Sequence, residues 1–112
     1  MSKSDVVCHD ADVSLAIHNK SVCFAGLSES RTVTLPPLAK ARYLSNMLVI
    51  KDMSGNCSST RKIVVVGSGS DKIDNMNSVD LETEHGCVTL YPASAENWVV
   101  IARYECPDAY SS

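Results

Sequence analysis

From Arg31 onward the chain divides into short β-rich runs, separated by turn residues at roughly ten-residue intervals, and this punctuation points to an all-β fold. Arg31-Thr32-Val33-Thr34-Leu35 alternates polar and apolar, which puts Val33 and Leu35 on one face. Pro36-Pro37 then ends the run, because neither residue has an amide to give to a ladder. Met47-Leu48-Val49-Ile50-Lys51 is apolar on both faces, as in a strand buried between two layers or against a partner subunit. It stops at Asp52-Met53-Ser54-Gly55-Asn56, where Asp and Ser can close local turns and Gly55 can take positive φ. Lys62 to Val66 is again apolar on both faces and breaks at Gly67-Ser68-Gly69-Ser70, and Asp74-Asn75 is a further turn. Ser78 to Glu82 alternates around Val79 and Leu81, and Cys87 to Tyr91 around Val88 and Leu90. The last run, Trp98 to Tyr104, aligns Trp98, Val100, Ala102 and Tyr104 on one side and Val99 and Ile101 on the other.

These runs predict a small sandwich or prism of about eight to nine short, mostly antiparallel strands. Val33, Leu35, Leu48, Ile50, Val64, Val66, Val88, Leu90, Trp98 and Val100 form the expected core. Their other-face neighbours Met47, Val49, Ile63, Val65, Val99 and Ile101 are left to meet another layer or a partner subunit at an oligomer interface. Leu38 to Ser45 has apolar residues near helical spacing but is too short to stand alone as a helix, so a loop with one helical turn is expected. Residues 1–30 read as weaker strands or a docking arm, 31–104 as the β domain and 105–112 as a C-terminal tail.

A chain of 112 residues holds one compact domain, with or without an arm. The formal charge is −3 and the basic residues are scattered, so there is no basic stripe to engage nucleic acid. No apolar run approaches the ~20 residues of a membrane-spanning helix. Met1-Ser2-Lys3-Ser4-Asp5 leads into an apolar stretch of only a few residues, which does not read as a signal peptide, so synthesis in a cytoplasm is expected. The Asn19-Lys20-Ser21 and Asn56-Cys57-Ser58 sequons are then idle. Cys8, Cys23, Cys57, Cys87 and Cys106 are odd in number and lack a Cys-x-x-Cys pair, so they read as buried thiols rather than a disulfide framework or zinc ribbon.

Four constellations bear on chemistry. Gly67-Ser68-Gly69-Ser70-Asp71-Lys72 has phosphate-loop residues without phosphate-loop spacing, and reads as a hairpin loop. Cys8-His9 are neighbours on opposite strand faces, whereas His85 and Cys87 share a face only if Gly86 does not bulge. Neither pair completes a zinc site or an activated nucleophile, so no catalytic residue, metal or cofactor is expected. Asp71, Asp74, Asp80, Glu82 and Glu84 lack calcium-loop spacing and read as solvated strand-edge charges. Trp98, Tyr91, Tyr104 and Tyr110 could stack on sugar rings, but rings of this size more often anchor a core or an interface.

The order of pieces between Arg31 and Ile101 resembles a domain of phage tail fibres and spikes that also occurs in structural proteins of large DNA viruses. The matching pieces are Thr32-Val33-Thr34-Leu35-Pro36, Met47 to Asp52 with Ser54-Gly55-Asn56, Ile63-Val64-Val65, Lys72-Ile73-Asp74-Asn75, Gly86 to Tyr91 and Trp98 to Ile101. Asn75 stands where that pattern usually has glycine, and Cys87 where it more often has a small polar residue. The resemblance implies a non-catalytic, trimeric β domain in a fibre or on a virion surface. The expectation is therefore a virion structural protein, a minor capsid, cement or spike/fibre component, that binds copies of itself and other capsid or fibre proteins. The alternative is a host-attachment module that binds surface glycan through the loops at Asp52–Ser59 and Gly67–Asn77.

Overall fold

The computed structural model describes residues 5–17, 21–44 and 47–105. Its strands are β1 (Asp5–His9), β2 (Val13–Ser14), β3 (Ser21–Gly26), β4 (Arg31–Thr34), β5 (Leu48–Asp52), β6 (Ile63–Val66), β7 (Lys72–Ile73), β8 (Ser78–Leu81), β9 (Cys87–Pro92) and β10 (Asn97–Tyr104), with one helix, α1 (Leu38–Leu44). The fold is all-β, in a six-stranded sheet ordered β1-β3-β5-β9-β10-β7 and a four-stranded sheet ordered β2-β4-β6-β8. Asn19, Lys20, Cys106 and Tyr110 lie outside the described residues, as does the tail beyond residue 105.

Through its first half the chain passes back and forth between the sheets. Strands β1, β3 and β5 go to the larger sheet and β2, β4 and β6 to the smaller, each landing beside and parallel to the strand before it. The second half reverses, with β8 antiparallel to β6, β9 to β5 and β10 to β9, while β7 closes the far edge parallel to β10. Five of the eight pairings between these strands are thus parallel and three antiparallel, which corrects the mostly antiparallel expectation. The turns that read as hairpins mostly carry the chain across to the opposite sheet, and a turn's composition does not encode that choice. Strand β3 lies between β1 and β5, and its Val22 and Phe24 are fully buried.

The core fills the gap between the sheets. Val33, Leu35, Leu48, Ile50, Val88, Leu90 and Trp98 all point into it, joined by Phe24, Ile73, Val79, Leu81 and the thiol of Cys57. Strand β6 has the opposite phase to the one expected. Ile63 and Val65, assigned to an interface, are fully buried, and Val64 and Val66, assigned to the core, face outward and are half-buried. A run apolar on both faces has no phase of its own. The register supplies it, setting Val65 against Val33 and Ile63 against Leu81. Strand β10 departs in a different way, because a bulge between Val100 and Ala102 places an extra residue opposite Thr89. Val100 stays packed against the core, whereas Ala102 and Tyr104, expected on the side of Trp98, turn to the outer face. Arg103 then comes opposite the inward Val88 and donates from Nη2 to the Asp80 carbonyl of β8, tying one sheet to the other.

Residues 38–44 form a helix rather than a loop with one turn. Two contacts from outside the segment account for it. Leu38 and Ala41 are buried, and the Asp71 carboxylate, 33 residues away, accepts the Leu38 amide at 2.9 Å. The Gly67–Asp71 loop makes that cap possible by folding so tightly that a Cβ on Gly67 would lie 2.8 Å from the Asp71 carbonyl carbon and closer still to its oxygen. Gly67→Ala is therefore expected to destabilise the fold by about 1–3 kcal/mol through overpacking. A urea denaturation curve overlaying that of the parent protein would show that the loop has room to spare.

Candidate functional site

Two arrangements stand out from the remainder of the surface: an anchored turn at one end of the sandwich, and the outer face of the larger sheet.

The turn is built on Asp52. It continues the inward phase of Leu48 and Ile50, so strand geometry drives a carboxylate into the interior, where it is 0% exposed. A buried carboxylate needs partners. Oδ1 accepts from the Ser54 amide at 3.0 Å and its hydroxyl at 2.5 Å, and Oδ2 from the amides of Cys57 at 3.0 Å and His85 at 3.2 Å. The Asp52 amide itself donates to the Gly86 carbonyl at 2.9 Å. Burial pushes the carboxyl up, but the bonds from Ser54, Cys57 and His85 outweigh it and hold its pKa below the usual value. Gly55, at φ +74, lets the chain turn beneath His85, whose Nε2 would lie 2.9 Å from a Cβ there.

This arrangement joins two turns through one carboxylate. Burial raises the Cys57 thiol, with the charges of Asp52 and Glu82 adding to it, and its Sγ donates to the Leu81 carbonyl at 2.8 Å. His85 sits in a turn at φ 57 with its ring against Gly55, while Cys87 faces outward from β9, so the strand that would align the two is interrupted. The acidic residues are dispersed. Asp71 caps α1, Asp74 accepts the Val100 amide at 3.3 Å, and Asp80 and Glu82 flank Lys62 at 3.5 and 3.6 Å. No cluster of three or more His, Cys, Asp or Glu among the described residues is placed to hold a metal, and no helix there is long and apolar enough to cross a membrane.

The outer face of the larger sheet is defined by register. Val99 lies opposite Tyr91, with Met47 just ahead of β5. One step along, Val49 lies opposite Thr89, which also faces Ala102 beside the bulged Ile101. The next row runs Cys23, Lys51, Cys87, Tyr104. At ordinary strand and pleat spacings these three rows span roughly 14 Å in each direction. Met47 is 55% exposed, Ile101 53% and Tyr104 48%, and the valines and Tyr91 are half-buried. The outer face of the smaller sheet is different in kind, with Ser14, Thr32, Thr34, Ser78 and Asp80 around Val64 and Val66. Of the six residues expected at an interface, Met47, Val49, Val99 and Ile101 belong to the apolar face, and Ile63 and Val65 do not. Cys87 and Tyr91 also belong to it, where the alternation around Val88 and Leu90 places them, and so does Tyr104, which the alternation of its own strand puts on the other side. For Tyr104 the missing signal is the bulge.

No protein-family model matches this chain, and no curated protein matches it.

Proposed function

We propose that the protein is a virion structural component, made in the host cytoplasm, that acts by self-association through the outer face of its larger sheet, as a homotrimer, and by contact with neighbouring capsid or fibre proteins. The observation that supports this reading is the contrast between the two outer faces. One sets Val64 and Val66 among serine, threonine and aspartate side chains, while the other gathers Met47, Val49, Tyr91, Val99, Ile101 and Tyr104 around Thr89 and Lys51. A patch on three neighbouring strands, roughly 10 Å by 14 Å, is well below the ~800 Å² that each partner contributes to a standard interface. Repetition around a symmetry axis and a second contact with a shell make up the difference. The trimer itself comes from the resemblance between Arg31 and Ile101.

The test is mass in solution by sedimentation or light scattering. A trimer is expected, with Val49→Glu/Ile101→Glu converting it to a monomer while the thermal transition of the monomeric fold moves little, since both side chains already meet water. A parent protein that stays monomeric at millimolar concentration and does not enter particles would overturn the reading.

A further inference from the structure

We draw no further inference here: the strongest candidate, the outer edge of β1 in the larger sheet, which pairs with no other strand among the described residues, carries nothing because nothing in the structure shows what covers it.

Discussion

Asp52→Ala is expected to lower the unfolding free energy by about 3–5 kcal/mol, because it strips the acceptor from three backbone amides at once. Those of Ser54, Cys57 and His85 end on one carboxylate, and each amide left without a partner costs about 1–3 kcal/mol, less what water can replace. Asp52→Asn keeps the shape but turns one oxygen into an NH2 group, which must face either the Ser54 donors or the pair from Cys57 and His85, so it is also expected to destabilise.

The pH dependence has a definite sign. A carboxyl held below its unfolded value of about 3.9 contributes stability that is fully present above that pH and is lost as pH falls through the lower folded value. Asp10 acts in the same direction, held at about 2 by hydrogen bonds from Ser28 and then by Arg31. Denaturation curves at pH 7 and pH 3 are therefore expected to differ more for the parent protein than for Asp52→Asn, with Asp10 adding to the acid sensitivity of both. Equal acid sensitivity in the two would remove Asp52 from its central place.

Trp98→Ala is the second large effect, at about 3–5 kcal/mol for emptying a fully packed site of this size. Trp98 sits against Pro92 on one side and Ile73 on the other, where the shortest strand of the larger sheet is held to the longest. Trp98→Phe is expected to cost much less than its loss of volume implies. The indole Nε1 is buried without a hydrogen-bond partner among the described residues, so phenylalanine removes a donor that gains nothing by being inside. Circular dichroism is the probe, because the substitution deletes the only tryptophan. A phenylalanine variant as unstable as the alanine one would mean that the indole N–H is satisfied in solution.

The candidate face is partly legible in the sequence. Met47, Val49, Val99 and Ile101 follow from runs that are apolar on both sides, since a strand of that kind has more apolar surface than one layer covers. The same reasoning fails for β6, where Ile63-Val64-Val65-Val66 is equally apolar in either phase. Asp52 is readable as a turn residue but not as an anchor, although counting alternate positions from Leu48 and Ile50 places it inside. The bulge at Ile101 leaves no such trace, and it decides where Tyr104 and Arg103 point.

Local chemistry, then, determined which residues extend and where they stop: β-branched runs fill pleated positions, and prolines, glycines and Asp–Ser pairs end them. It also determined that most of the alternating apolar positions are interior, because burial follows the period of the strand. The tertiary structure alone decided which strands are neighbours, that the first half coils between two sheets in parallel, that residues 38–44 are helical and which side of β6 is dry. Each of these depends on a contact between distant residues, Val33 with Val65 or Leu38 with Asp71, and no local preference carries that information.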